Sequence, residues 1–364
     1  MGFITFGSNS RSIIYIMLFA YSVYVENNSI NDLHFSFNQI FIVVFFGNIS
    51  KLLGGLLELI IYFRLKGYQD VSKKNPKSVK EIVIYLIMIL MELLTHFLFV
   101  FFKQNIRSAQ GTPVYVDVSL KGLQIFFACS LTFYFLKYKF ENHKKAGLVI
   151  SGIGLLFSFI VSVCISKGDV RWIPLTLSIG MNLTAAIHEV LEKYLLHFIY
   201  KSPYMILFNQ GLFDVVAMFS CYLIVCFCGK VNTYSKDIQW LKNNCPSIIA
   251  YGFFCTGYNV FRILINNNST PTHRIISDSI SAMLFFLSTL TKDFSYENIL
   301  IGLGYFITFC GSVVYNEVIV FKFWKLNQDT ANEINKRIKE EQQHLEMLIE
   351  TDEELSGQSM VFIK

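Results

Sequence analysis

The chain has 364 residues, 53% of them hydrophobic and only 16% charged, with a net charge of +5 and a mean hydropathy of +0.47. An average soluble chain carries about 25% charged residues, so there is too little charge here to coat a soluble fold, and disorder is excluded for most of the length because it requires low hydrophobicity. A membrane span needs about 20 mostly apolar residues; the arithmetic therefore favours a polytopic membrane protein, and the modest charge gives no sign of nucleic-acid binding.

Ten apolar segments follow in chain order: 3–25, 36–63, 80–102, 117–136, 146–165, 172–193, 203–227, 246–265, 274–291 and 298–320. The first has no small-residue cleavage pattern after it and reads as a retained span. Lys and Arg in short loops set orientation. Arg64, Lys66, Lys73, Lys74, Lys77 and Lys80 follow the second segment, and Lys137, Lys139, Lys144 and Lys145 follow the fourth. Glu26 to Phe35 has neither Lys nor Arg. This alternation predicts both termini in the cytosol and the hydrophilic stretch 228–245 as an outside loop. Residues 332–350 read as a polar cytosolic helix. Two regions result: a ten-span domain over 1–320 and a charged helical tail over 321–364.

Six of the eight cysteines lie inside apolar stretches. Cys228 and Cys245 flank a hydrophilic loop and pair only if it faces an oxidising lumen; free thiols are the expectation. No Cys/His cluster has metal spacing, so neither a metal nor another cofactor is expected. GxSxG, HExxH and P-loop motifs are absent, and no enzyme is predicted.

Charges inside spans are costly and face a bundle interior or an aqueous cavity. On the second segment Asn48, Lys51, Gly55 and Glu58 share one helical face. Glu92 and His96 are spaced i, i+4 on the third, and Lys121 precedes Gly122 on the fourth. The sixth ends with His188, Glu189, Glu192 and Lys193; the seventh carries Asn209, Gln210 and Asp214; the ninth begins with His273 and Arg274, with Asp278 one turn on. Each has a structural alternative. Lys51 can pair with Glu58, Glu92 can hydrogen-bond His96 or hold a proton, Arg274 can pair with Asp278, and Glu192 and Lys193 can snorkel to the interface. Gly54, Gly55, Gly152, Gly154, Gly302, Gly304 and Gly311 predict close helix packing.

Ser269-Thr270-Pro271-Thr272-His273-Arg274, with Asp278-Ser279 following, resembles the opening of span nine in the F subfamily of solute carrier family 35, within the drug/metabolite transporter superfamily. Gly311 to Asn316 is similar to that branch's close of span ten. Glu192-Lys193-Tyr194-Leu195, Pro203 and Gly211-Leu212-Phe213 resemble its sixth and seventh spans, and Lys121-Gly122 with Phe135-Leu136-Lys137 its fourth. Asn209-Gln210 stands where the branch has Trp-Glu, and Ser281 replaces its second Arg. The resemblance covers roughly 1–320. It implies an all-α fold of ten transmembrane helices in two inverted five-helix repeats, about 1–165 and 171–320, with the site between them near the midplane. It also places the basic residue of span four, here Lys121, in the cavity.

The expectation is a secondary transporter of an internal membrane (Golgi, endoplasmic reticulum, lysosome or vacuole). It would move an anionic organic solute of nucleotide-sugar type by alternating access. Lys51, Lys121 and Arg274 are the expected anion ligands, since a buried phosphate or carboxylate needs charge-assisted donors; Asn48, Asn209 and Gln210 join them. Glu58, Glu92, His96 and Asp278 are expected as charge partners or proton sites. The partners are the solute and the lipid bilayer, with no nucleic acid, and the reading admits a homodimer. Two alternatives stand beside it: a transport-inactive scaffold or sensor acting through the tail, and a carrier of cationic drugs or amino acids.

Overall fold

The computed structural model describes residues 4–6, 37–56, 79–108, 115–165, 172–199, 201–228, 232–268 and 296–321, with isolated positions besides and 336–343 of the tail. Apart from one short strand pair, these residues are helical. The helices are α1 (Phe37–Gly55), α2 (Val79–Ser108), α3 (Tyr115–Phe135), α4 (Asn142–Ile165), α5 (Trp172–His197), α6 (Pro203–Cys228), α7 (Asn232–Asn268) and α8 (Tyr296–Tyr315). Most of the first and ninth predicted spans, and the basic stretch 61–78, lie outside the described residues.

Four helical stretches are long and apolar enough to cross a membrane among the described residues: Val79–Phe99, Asn142–Cys164, Pro203–Ile224 and Lys236–Asn267. The side-chain distribution is inverted relative to a soluble protein. Leu86, Leu90, Ile153, Leu156, Val216 and Phe306 are exposed, while Lys51, Glu92, Glu192 and Asp214 are buried. Exposed apolar surface on this scale marks a surface that meets something other than water, and the apolar helices fit a membrane-embedded chain.

Local chemistry explains where helices begin and end. Ser202 and then Pro203 open α6; proline tolerates the first helical position because that N–H has no intrahelical acceptor. After α8, Glu317 adopts φ 57° and the Val318 N–H bonds the Val313 carbonyl at 3.0 Å. That is a Schellman closure, built here without glycine. Lys137, at φ 54°, also ends α3 in the left-handed region, but there the Tyr138 N–H reaches one residue further back, to the Thr132 carbonyl at 3.4 Å.

Three expectations are corrected here. The stretch 228–245, predicted as a loop, is helical from Asn232 onward and runs straight into α7, with Pro246 inside the helix. Its low hydropathy hid the helix, because hydropathy reports burial in lipid and not backbone conformation. The tenth segment stops at Tyr315, and Ile319–Phe321 forms a strand, β2. That strand pairs antiparallel with β1 (Ile4–Phe6), which the sequence placed inside a span. In the tail, 336–343 is helical and exposed, as expected.

Two helix pairs make the most extensive contacts, α4 with α8 and α1 with α6. Small residues let both pairs close on backbone. A Cβ on Gly147 would lie 2.6 Å from the Tyr315 nitrogen, one on Gly55 2.6 Å from the Phe208 nitrogen, and one on Gly211 2.7 Å from the Leu52 nitrogen. Gly304 and Gly311 face Ser158 and Ser151 in the same manner. In lipid such close approach supplies dispersion that burial from water cannot.

Candidate functional site

The face of α1 that passes α6 carries Lys51, fixed by the backbone contact at Gly211. Lys51 Nζ donates to Glu92 of α2 and to Asp214 Oδ2 of α6, the latter at 2.8 Å. Glu92 is the hub. Its carboxylate also lies 3.4 Å from His188 Nε2 of α5 and 3.7 Å from Arg262 Nη1 of α7. Arg262 Nη2 donates to Glu192 Oε2 at 2.9 Å and to Gln210 Oε1 at 3.3 Å. Asn266 Nδ2 donates to Glu192 Oε1 at 2.8 Å, and Gln124 of α3 to Glu189 Oε1 at 3.0 Å. Six helices thus send polar side chains into one buried network.

The network is costly. Within its ion-paired set three carboxylates (Glu92, Asp214 and Glu192) face two fixed cations, Lys51 and Arg262. Asp214 and Glu192 are both 0% exposed. Buried charges survive only when paired and hydrogen-bonded. Several polar atoms around Lys51 nonetheless make no hydrogen bond among the described residues: Asn48 Nδ2, Glu92 Oε2, His96 Nδ1 and Asp214 Oδ1. Such atoms cluster on α1, α2 and α6, where a polar guest or water can satisfy them.

Of the expected site residues, Lys51, Glu92 and Gln210 meet in this network, with Asn48 one turn from Lys51 on the same helix face. His96 borders it through its unsatisfied Nδ1. Asn209 is half-buried and makes none of the network's hydrogen bonds among the described residues. Glu58, Arg274 and Asp278 lie outside the described residues, and Lys121 is placed only by its backbone, on α3 one turn before Gln124.

Two structural alternatives are corrected. The described partners of Lys51 are carboxylates from two other helices; its alternative pairing with Glu58 lies outside the described residues. Glu92 turns away from His96 toward three cationic or imidazole groups. Glu192 and Lys193 do not snorkel. Both are buried, Glu192 on Arg262 and Lys193 on the Asn266 and Asn267 carbonyls at 2.8 and 3.1 Å, where it caps the end of α7. Arg262 went unnoticed in the sequence, although an arginine inside the apolar run 246–265 gives the same signal that singled out Lys51. Among the described residues no group of His, Cys, Asp and Glu could hold a metal ion, and Cys245 is a free thiol there.

No protein-family model and no curated protein matches the chain. Among solved structures 26 chains match, one of them a crystal structure of a protein similar at TM-score 0.55 and 11% identity, over 85% of this chain and 98% of that one. At that identity the likeness concerns the fold alone.

Proposed function

We propose that the chain is a ten-span secondary transporter of an internal membrane, moving an anionic organic solute by alternating access. The observation that carries the reading is the buried ionic network, with its unsatisfied polar atoms, at the meeting of six helices. Structural burial alone would favour full pairing; a transit site has to leave groups for its cargo. Lys51 and Arg262 are the described cations that an entering carboxylate or phosphate would engage, displacing Asp214 or Glu192.

Two further features support the ten-span repeat. In the order of ten predicted spans, α4 and α8 are the fifth and tenth, α1 and α6 the second and seventh. Two of the three most extensive pairings therefore join helices five places apart, which is where a two-fold relation between five-helix repeats puts self-equivalent pairs; the other, α2 with α5, joins the third and sixth. Contacts near helix ends also respect the predicted parity. Glu81 meets Lys201 at 2.8 Å, and Lys144 lies 4.0 Å from Glu317, each pair joining ends assigned to the cytosolic side. Gln39 reaches Asp237 at 3.4 Å on the opposite side.

A second reading, a carrier of cations, draws on the excess of carboxylates over fixed cations in the network. Uptake of labelled nucleotide-sugars and of labelled cationic amino acids into proteoliposomes separates the two. Accumulation of neither by folded protein overturns transport and leaves the scaffold reading. For the anion carrier, Lys121→Ala is expected to abolish uptake while folded protein survives, and Lys121→Arg to keep part of it.

A further inference from the structure

The contested atom in the network is His188 Nε2. It lies 2.9 Å from Gln210 Nε2 and 3.4 Å from Glu92 Oε2. The Gln210 amide is oriented by its other end: Arg262 can only donate, so the atom it meets at 3.3 Å is the amide oxygen. Gln210 Nε2 is therefore a donor, and neutral His188 must accept with Nε2 and carry its own proton on Nδ1. That arrangement leaves Glu92 Oε2, which has no hydrogen-bond donor among the described residues, facing a nitrogen without a proton. The two neighbours of Nε2 make opposite demands: the amide needs a lone pair, the carboxylate needs an N–H.

We propose that His188 and Glu92 form a proton-binding site in which added protons switch the imidazole from Gln210 to Glu92. A proton taken from water at Nε2 ends acceptance from Gln210 and creates an N–H donor to Glu92 Oε2. Gln210 keeps Met88 Sδ, at 3.4 Å, as a second acceptor. Within the described ion-paired set the charge count accommodates one added proton. Three carboxylates then face three cations: Lys51, Arg262 and the imidazolium. The charged and titratable groups around the pair come from every described helix packed there: Lys51 from α1, Glu92 and His96 from α2, Glu189 and Glu192 on α5 itself, Asp214 from α6 and Arg262 from α7, with uncharged Gln124 from α3.

The site links protons to the proposed cargo. Glu92 contacts both network cations. When imidazolium takes its second oxygen, its hold on Lys51 and Arg262 weakens, and both become better ligands for an anion. This consequence rests on the transporter reading; the proton site itself does not.

Magic-angle-spinning NMR of the full-length protein in liposomes, with 15N-labelled histidine, tests the proposal without any solute. The His188 signals, identified by their loss in His188→Gln, are expected to show a neutral Nδ1–H ring at alkaline pH. On acidification they convert to imidazolium. The conversion should disappear over the range where Glu92→Gln stays folded, and return in Glu92→Asp, which restores the charge. A His188 ring that stays neutral down to acid unfolding overturns the proposal, as does one that converts identically in Glu92→Gln. Sulfate, whose charge is constant over this range, then probes the link through thermal stabilisation. It should stabilise the wild type only at acid pH and Glu92→Gln at every pH. If the imidazole converts as described and sulfate stabilises neither protein, the proton site stands and the anion reading fails.

Discussion

The network among α1, α2, α3, α5, α6 and α7 and the seam between α4 and α8 are both buried, yet they are held by opposite means. The network fills its space with long charged side chains whose partners sit on other helices. The seam fills almost none: Gly147, Ser151, Gly154 and Ser158 meet Gly304, Thr308 and Gly311 so closely that backbones touch. Its few hydroxyls bond to carbonyls, as Ser162 does to Ser158 at 2.7 Å and Ser312 to Thr308 at 3.0 Å. A seam of this kind has one arrangement, because dispersion falls off within a fraction of an ångström. A network of long side chains has several, since each charge can trade one partner for another. The seam is therefore the rigid part, and the network the part able to rearrange.

Charge removal should separate the regions most sharply. Lys51→Met leaves Glu92 and Asp214 without their shared cation, and breaking a buried pair costs about 3–5 kcal/mol. A fall in detergent-denaturation stability of that order is expected, and pairing it with Glu92→Gln and Asp214→Asn should return much of it. A loss that the neutral partners fail to reduce would mean that Lys51 serves by its bulk and not its charge.

The seam should respond to volume alone. Gly147→Ala drives a methyl into the Tyr315 backbone, and overpacking of this kind costs about 1–3 kcal/mol. The loss should be the same at acid and alkaline pH; a pH-dependent loss would tie the seam to the network and erase the contrast.

Gly252, on α7, has nothing within 4 Å of its would-be Cβ. Gly252→Ala should raise stability by about 0.5–1 kcal/mol, the helix preference for alanine. Smallest of all, Lys137→Gly should relieve a left-handed lysine, a gain of about 1–2 kcal/mol largely offset by the entropy of a freer unfolded chain. A net rise of a few tenths in thermal unfolding is the expected reading.

The seam was more legible in the sequence than the network. Gly154, Gly304 and Gly311 announced close packing, because small residues at helical spacing have a single geometric use in apolar helices. Lys51, Glu92 and Gln210 were visible as polar residues in apolar runs, but their partners were not. Spacing relates residues on one helix, so it suggested Glu58 for Lys51 and His96 for Glu92. The partners found, Asp214 and His188, come from helices far away in sequence. The helical stretch before Pro246 was hidden because it is polar, and β1 because three apolar residues of a strand look the same as three of a span.

That small strand has a consequence in time. Ile4–Phe6 is synthesised before every described helix of the bundle, and its partner Ile319–Phe321 only after them. At about 5–20 residues per second, β1 waits on the order of tens of seconds with its backbone edge unpaired. During that interval its N–H and C=O groups are open to any other strand. Closure of the ladder thus comes late in biosynthesis, after the last described helix of the bundle has been made.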